Sequence, residues 1–261
     1  MIDVHCHLAD NKFKDDIDDV IKRAIDSGVT KMIAVAEFGS QFENVLNLSK
    51  KYEKVVYAGI GVHPIQKRNK CVQRKHLAEV ETFLSRYQQK NVICVGEIGL
   101  DHTFQQFKLS EQDLHVQEEV FIAQIRLAKQ FNLPMNIHSR SAARRTLEVL
   151  KSEQINSNSV VLHAFDGNIE DVSFGLQLGC YFSIPPSFQN SEKALKMIDA
   201  IPLCNLLLET DSPALSPLKG QRNEPNNIGL CARIIGEVKR VEQQNVVNVT
   251  SENAHKIFNF M

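Results

Sequence analysis

Eight short runs of Val, Ile, Leu and Ala recur along this chain, and helical segments separate them. After the first run, for example, Val20, Ile21, Ala24 and Ile25 fall on one face of a helix. A regular alternation of strand and helix predicts a parallel sheet. The predicted strands are Ile2–His7, Lys31–Ala36, Val55–Val62, Val92–Glu97, Pro134–His138, Val160–His163, Cys180–Ile184 and Leu206–Thr210.

The size of the repeating unit favours one of two architectures for such a sheet. Dividing 261 residues by eight gives roughly 33 residues per unit, which matches a (β/α)8 barrel of the TIM type. A doubly wound open sheet is the alternative, but the sequence lacks its glycine-rich phosphate loop. Gly28 and Gly179 are placed to end helices, and Pro134 opens the fifth strand. We therefore predict a single α/β barrel domain over residues 1–261.

The composition restricts the kind of partner and compartment. The chain has 30 basic and 31 acidic residues, so its overall charge does not favour a polyanionic partner. Its six cysteines form no Cys-x-x-Cys pair, which indicates free thiols in a reducing compartment. No stretch approaches the ~18 apolar residues of a membrane span. We expect an intracellular protein, cytoplasmic or nuclear, with no membrane association and no obligate protein partner.

Residues of metal-binding type stand at the ends of the predicted strands. His5 and His7 are two apart, so both imidazoles share one face of the first strand while Cys6 faces the other way. The carboxyl ends of barrel strands meet at one rim, where active sites collect. Four imidazoles and two carboxylates exceed one tetrahedral ion and suit two ions about 3.5–4 Å apart. The predicted ligands are His5, His7, Glu97, His138, His163 and Asp211.

Four residues near this rim receive distinct expectations. Glu97, between two sets of histidines, is the predicted bridge between the metals, and Asp211 is the predicted general base. His63 ends the third strand and can hydrogen-bond the substrate, although a satisfied histidine at a tight turn is an equal alternative. Glu209 shares the strand parity of Asp211 and is expected to lie one layer deeper, in a buried hydrogen bond or ion pair.

Cations near the predicted strand ends indicate a phosphate-containing substrate. Arg140 and Arg222 are the predicted phosphate ligands, because a guanidinium binds two phosphate oxygens at once. Arg144 and Arg145 open a helix, where solvated side chains are the simpler interpretation. His102 follows the fourth strand and is expected to line the site without binding metal. Of zinc, manganese and magnesium, zinc is favoured by the histidine-rich ligand set.

Seven short motifs occur in a fixed order from Ile2 to near Phe258: DVHCHL, GVHP, VGEIGLD, HSR, HAFDG, ETDSP and RNEP. In this order they resemble the TatD-related metal-dependent deoxyribonucleases. The resemblance implies a metal-dependent (β/α)8 hydrolase barrel that degrades DNA, often as a 3′-to-5′ exonuclease.

The same resemblance implies roles for particular residues. It makes His5, His7, Glu97, His138, His163 and Asp211 the metal ligands, with Glu97 bridging, His63 as an active-site neighbour and Arg222 supporting the substrate-side loop. Two motifs depart from the family pattern. His102 in GLDHTF replaces a usual aromatic residue, and HAFDG replaces the usual HCFSG.

Three functions are compatible with such a site. The leading hypothesis is hydrolysis of DNA phosphodiester bonds by a pair of divalent metal ions. The alternative is a metal-dependent hydrolase of amides, lactones or esters on the same barrel. Many barrel hydrolases of that kind bridge their metals with a carbamylated lysine, whereas the fourth strand here ends in Glu97, which favours the nuclease. A third hypothesis, a non-enzymatic interaction module, does not explain the predicted open hydrolytic centre.

Overall fold

The computed structural model describes residues 1–66, 70–87 and 92–260, and its strands agree closely with the predicted ones. The strands are β1 (Ile2–Cys6), β2 (Lys31–Val35), β3 (Val56–Gly59), β4 (Ile65–Gln66), β5 (Lys70–Cys71), β6 (Val92–Gly99), β7 (Met135–His138), β8 (Val160–His163), β9 (Tyr181–Ile184) and β10 (Leu206–Leu208). One eight-stranded parallel sheet has the order β1-β2-β3-β6-β7-β8-β9-β10. The strands β4 and β5 form a separate antiparallel pair, which the sequence did not predict.

The two ends of the sheet, β1 and β10, meet through residues just beyond β10. The Asp211 amide donates to the His5 carbonyl at 2.9 Å. The amide and hydroxyl of Thr210 donate to the buried Asp3 carboxylate at 3.0 and 2.6 Å. A side chain thus replaces part of the backbone ladder, and the barrel closes almost completely. The same contacts place Asp211 beside His5.

Helices surround the sheet, as the predicted alternation requires. They are α1 (Ile17–Asp26), α2 (Phe42–Lys51), α3 (Lys75–Tyr87), α4 (Phe104–Phe107), α5 (Glu111–Gln130), α6 (Ala143–Ser152), α7 (Ile169–Gln177), α8 (Glu192–Ala200), α9 (Ile228–Lys239) and α10 (Gln243–Ile257). Within the described part of the chain, none of these helices combines the length and apolar character that crossing a membrane requires.

Two buried apolar layers explain why polar groups collect at one end of the barrel. The larger layer combines helix residues with strand residues such as Cys6, so it lies between the sheet and the helices. The smaller layer contains Val4, Val161 and Leu207 together with Phe258 after α10, and it fills the interior of the barrel from the N-terminal ends of the strands. Each such buried side chain stabilises the fold by roughly 1.5–3 kcal/mol. The C-terminal end is left to polar side chains.

The predicted (β/α)8 barrel is confirmed, and the small differences in strand length have local causes. The third strand ends at Gly59, because the Val62 amide and carbonyl bond to the Gln124 side chain at 2.8 and 3.1 Å. The predicted helix stops at Gly28 and Gly179 adopt φ values of 87° and 77°, a left-handed conformation that glycine permits.

Candidate metal centre

The structure brings the six predicted ligands together at the C-terminal end of the barrel. Five of them are 8% exposed or less, and His138 is partly buried. Cys6 lies in the outer apolar layer, as predicted from its alternation with His5 and His7. Six ionisable side chains therefore converge where water has little access.

The first cluster consists of His5, His7 and Asp211. The Nε2 atoms of the two histidines are 3.2 Å apart. The Asp211 Oδ1 atom lies 3.3 Å from the His5 Nε2 atom and 3.1 Å from the His7 Nε2 atom. A metal held at ~2.0–2.2 Å by each ligand separates its ligand atoms by roughly 3–4 Å. These three atoms fit around one ion.

The second cluster consists of His138, His163 and Glu97. The Glu97 Oε1 atom lies 2.9 Å from the His138 Nδ1 atom and 2.8 Å from the His163 Nε2 atom. The two histidine nitrogens are 3.2 Å apart. These three atoms also have the spacing that one ion requires.

Glu97 belongs to both clusters. While its Oε1 atom faces the second cluster, its Oε2 atom lies 3.5 Å from the His7 Nε2 atom and 3.8 Å from the His5 Nε2 atom. A carboxylate with one oxygen towards each of two imidazole pairs has the geometry of a bridging ligand. The donor set therefore fits two adjacent divalent ions.

The local backbone of β6 delivers Glu97 to this position. Pairing with β7 shifts register between Val95 and Ile98, so the strand bulges where Glu97 projects inwards. Gly99 has a φ of 144°, and a Cβ atom there would lie 1.9 Å from the His138 carbonyl oxygen. The second glycine of the VGEIG segment is therefore a structural requirement for close contact between β6 and β7.

The electrostatic field of the site favours a bound cation. Burial lowers the pKa of His7, but the carboxylates of Glu37, Asp211 and Glu97 outweigh it and raise this pKa to about 10. Burial raises the pKa of Glu97, but the neighbouring histidines, His63 first, hold it well below its usual range. The carboxylates are thus ionised, and their field attracts protons or metal ions.

Asn136 of β7 orients His5. Its Oδ1 atom lies 2.8 Å from the His5 Nδ1 atom, and its Nδ2 atom donates to the Val4 carbonyl at 2.8 Å. Because the amide nitrogen is committed to Val4, the Oδ1 atom accepts the proton on the His5 Nδ1 atom. The His5 Nε2 atom is then left without a proton, which is the state a metal requires.

Asp101 performs the corresponding role for His138. Its Oδ2 atom lies 3.1 Å from the His138 Nε2 atom, which leaves the Nδ1 atom to face Glu97. Burial raises the pKa of Asp101, but the bonds from His138 and Thr103 lower it to about 2. The ionised carboxylate accepts the proton on the His138 Nε2 atom, and the Nδ1 atom of the neutral ring is then left without a proton.

Glu209 lies beneath His163, at the deeper level expected from strand parity. Its Oε1 atom accepts a hydrogen bond from the Ala164 amide at 2.9 Å and is 3.7 Å from the His163 Nδ1 atom. Its other carboxylate oxygen accepts a bond from the Ser183 hydroxyl. Glu209 thus supports His163 from below, inside the barrel.

His63 lies against the second cluster and differs from the other histidines in its hydrogen bonding. Its Nδ1 atom lies 2.9 Å from both the amide nitrogen and the carbonyl oxygen of Ile65, so the Ile65 backbone can bond this nitrogen in either tautomer of the neutral ring. The Nε2 atom of His63 is 3.6 Å from the Glu97 Oε1 atom. Burial lowers the pKa of His63 to about 4. A neutral ring that carries its proton on Nε2 can donate a hydrogen bond to the site from this position.

The clusters open into a cleft of about 390 Å³. Arg140 lines this cleft, as predicted, and its side chain is exposed. Lys12, from the turn after β1, lines it from another side. Apolar contacts come from Phe38, Phe107 and Pro213. The cleft thus combines cations and apolar side chains above an anionic floor.

Arg222, predicted as a phosphate ligand, is engaged elsewhere, and that prediction is corrected. Its Nη1 atom donates to the Lys12 carbonyl and to Asp16 at 2.7 and 2.8 Å. Its Nη2 atom donates to Asp16 and Glu224, both at 2.6 Å. Its guanidinium also stacks 4.9 Å from the centre of the Phe13 ring. Arg222 ties the loop after β10 to the loop after β1.

His102 lies in the loop after β6 rather than against the metal clusters. Its amide donates to the Arg140 carbonyl at 3.0 Å, and its ring is 6.2 Å from that of Phe104. Burial lowers the pKa of His102. His102 therefore contacts the backbone that carries Arg140 and supports it indirectly.

Asn136, Asp101 and Lys12 were missed by sequence reasoning. Asn136 stands two positions before His138, so strand parity alone could have placed both on the inner face. Asp101 directly follows the VGEIGL segment, where a second carboxylate after Glu97 was a usable signal. Lys12 lies in an irregular turn, where the sequence has no periodicity to reveal the direction of a side chain.

Comparison with known proteins identifies the family. Residues 2–259 match the model of the TatD related DNase family. The human protein named Deoxyribonuclease TATDN3 is 39% identical over 262 residues, covering 99% of this chain and 94% of the human one. The Bacillus subtilis (strain 168) protein YabD, described as an uncharacterized metal-dependent hydrolase, is 32% identical, covering 99% of this chain and 98% of its own. The crystal structure of YJJV, a TatD homolog from Escherichia coli K12, superposes with a TM-score of 0.88 at 28% identity, covering 99% of this chain and 98% of that one. The chain therefore belongs to the TatD-related DNase family.

Proposed function

We propose that this chain is a deoxyribonuclease that hydrolyses DNA phosphodiester bonds from the 3′ end with two divalent metal ions. The observation that carries the proposal is the orientation of Glu97, whose two oxygens face different pairs of histidines. In this proposal His5, His7 and Asp211 would hold one ion, His138 and His163 would hold the other, and Glu97 would offer one oxygen to each. The relative named Deoxyribonuclease TATDN3 supports DNA as the substrate.

Asp211 is the proposed general base. Its side chain is 12% exposed, whereas that of Glu97 is 3% exposed, so Asp211 is the carboxylate that attacking water can reach. When bound, the divalent ions supply Lewis acidity that lowers the pKa of water and offsets charge on the phosphoryl oxygens. Asp211 accepts the proton that the water loses as its oxygen bonds to phosphorus. The bond between phosphorus and the 3′ oxygen of the preceding nucleotide breaks, and this oxygen leaves and takes up a proton from solvent.

His63 and Arg140 are the proposed donors to the phosphate group. In the tautomer with its proton on Nε2, neutral His63 directs that proton into the site and can bond a phosphoryl oxygen as negative charge develops there. Arg140 reaches the cleft from beyond β7 and can bind two phosphate oxygens at once. Lys12 adds a second positive charge at the cleft. Together they bind an anionic diester in front of Asp211.

The proposed metal is zinc, because four of the six donor groups are imidazoles. Manganese and magnesium remain alternatives for the working ion. A carboxylate-poor, nitrogen-rich site is a poor match for magnesium, which prefers oxygen ligands and retains its waters.

The test is a metal add-back assay. Chelator-treated protein is incubated with 5′-labelled single-stranded DNA, and zinc, manganese or magnesium is restored separately. Products that shorten stepwise from the 3′ end, and that are absent with Asp211→Asn, support the proposal and identify the ion. A lack of cleavage with every ion contradicts it. Turnover of amide, lactone or ester substrates under the same conditions would then favour the alternative hydrolase.

A further inference from the structure

A second depression adjoins the catalytic cleft on the side of α1 and α2. It has a volume of about 480 Å³, within the range of ligand pockets. Asp10 lines both this depression and the cleft, and the short helical turn Asn11–Phe13 lies between them. We call it the side groove. It is lined by Leu8, Ala9, Asp10, Asn11, Phe13, Lys14, Ile17, Asn44, Asn47, Leu48 and Lys51.

The side groove has an apolar floor and a polar edge. Ile17 and Leu48 are half-buried and present aliphatic surface from α1 and α2. Asn44 and Asn47, one turn apart on α2, are exposed along one edge. An aliphatic floor accepts the face of a nucleobase, and amide groups can bond its edge or the sugar.

Positive charge continues from the cleft into the side groove. Lys12 lines the cleft and Lys14 lines the groove, and both are exposed. Neither ammonium group forms an ion pair with any residue in the described ranges. Lys51, by contrast, is held by Asp18 at 2.6 and 2.7 Å. Two uncompensated cations on successive sides of one turn can follow a phosphodiester backbone.

We propose that the side groove binds the nucleotide next to the one being released, so that a single DNA strand runs from the metal clusters across the Asn11–Phe13 turn. This inference rests on the proposed nuclease function and adds to it the place where the second nucleotide of the substrate strand binds. Single-strand sites combine a cationic track with surfaces that accept bases irrespective of sequence. The side groove offers both features where the cleft ends.

The test is the dependence of binding on strand length. Binding of fluorescein-labelled thymidine monophosphate and (dT)6 is measured by fluorescence anisotropy in the presence of chelator, so that hydrolysis does not occur. The wild-type protein is expected to bind (dT)6 at least about tenfold more tightly than the mononucleotide, which is too short to reach the side groove. Lys14→Glu and Leu48→Glu are expected to reduce this ratio to about threefold or less.

Two matched variants control for charge and for polarity. Lys22→Glu makes the same charge change at an exposed position of α1, and Ile25→Glu places a carboxylate on an apolar residue that is 44% exposed. Both are expected to keep the wild-type ratio. Circular dichroism melting shows whether each variant is folded, and Lys14, being exposed, provides the test if Leu48→Glu is unstable.

Several outcomes overturn the inference. It fails if the wild-type protein binds both lengths equally, or if Lys14→Glu retains the wild-type ratio. A separate assay tests the nuclease proposal with bis(p-nitrophenyl) phosphate, a diester too small to reach the side groove. If the metal-loaded wild-type protein does not hydrolyse this diester, the nuclease proposal fails. A protein that cleaves this diester but lacks length-dependent binding would keep the first proposal and lose the second.

Discussion

The two ends of the barrel differ in the volume of their cavities and in the ionisable groups that line them. The catalytic cleft at the C-terminal end measures about 390 Å³, whereas a cavity of about 680 Å³ lies near the starts of β6, β7 and β8. The described residues that line the larger cavity include no His, Cys, Asp or Glu. The smaller cleft holds both clusters. The buried ionisable groups therefore converge at the end of the barrel with the smaller cavity, and this end is the candidate site.

The physical reason is the cost of burying charge. An ionised carboxylate or imidazolium away from water requires a paired charge, hydrogen bonds or a metal. At the C-terminal end Glu97 is 2% exposed and faces four histidines. At the N-terminal end the amide of Asn156 and the ammonium of Lys129 can be solvated or bonded to backbone. A folded protein tolerates a buried cluster of ionised carboxylates, such as the one around Glu97, when a bound cation compensates their charge.

The largest expected effect is that of Glu97→Ala. Loss of the bridging carboxylate removes a ligand from both ions, so metal content should fall below two ions per chain. The kcat/KM for DNA should fall by at least about 10³-fold, equivalent to several kcal/mol of lost transition-state stabilisation. Elemental analysis and kinetics on the same sample measure both quantities. Full activity with two bound ions would exclude a bridging role for Glu97.

A smaller effect is expected from Asn136→Ala. Without its Oδ1 atom, the His5 ring loses the bond that fixes its tautomer and orientation, so metal affinity should fall by about 10–100-fold. Competition with a fluorescent chelator measures this affinity. Asn156→Ala is the matched control, since it removes the same amide from the lining of the larger cavity. If Asn136→Ala and Asn156→Ala bind metal equally well, the proposed role of Asn136 in orienting His5 for metal binding is wrong.

The convergence of the six candidate ligands could be predicted because strand parity and strand ends are local properties. His5 and His7 alternate with Cys6, and each other ligand lies close to the end of an apolar run. A parallel barrel then brings all these ends to one rim, whatever the details of packing. The fold and the six converging side chains thus depend on patterns that a single sequence displays.

The partners of these side chains depend on tertiary packing and could not be read in the same way. Asn136 contacts His5 across 131 positions of the chain, because β1 and β7 face each other across the interior of the barrel. For Arg222 the motif RNEP indicated a cation but not its partner. Asp16 and Glu224 take its donors, and this depends on how the loop after β10 packs.

The smallest expected effect concerns pH and the stability of the metal-free protein. The pKa of His7 is about 10 in the folded protein against 6.5 for an ordinary histidine. A raised pKa means that the protonated ring stabilises the fold fully below pH 6.5 and that this contribution is lost as pH rises through about 10. We expect a loss of about 1–2 kcal/mol, since His163 shares the field of the same carboxylates.

Calorimetric scans across this pH interval measure the effect as a fall in Tm of roughly 3–6 °C for the metal-free protein. The metal-loaded protein should keep its Tm, because a divalent ion replaces the proton that His7 loses. Asn156→Ala should show the wild-type difference between metal-free and metal-loaded samples, since that residue lies at the other end of the barrel. If the Tm of the metal-free and the metal-loaded protein fell equally with pH, bound metal would not replace the proton of His7. The electrostatic explanation for the difference between the two ends of the barrel would then be wrong.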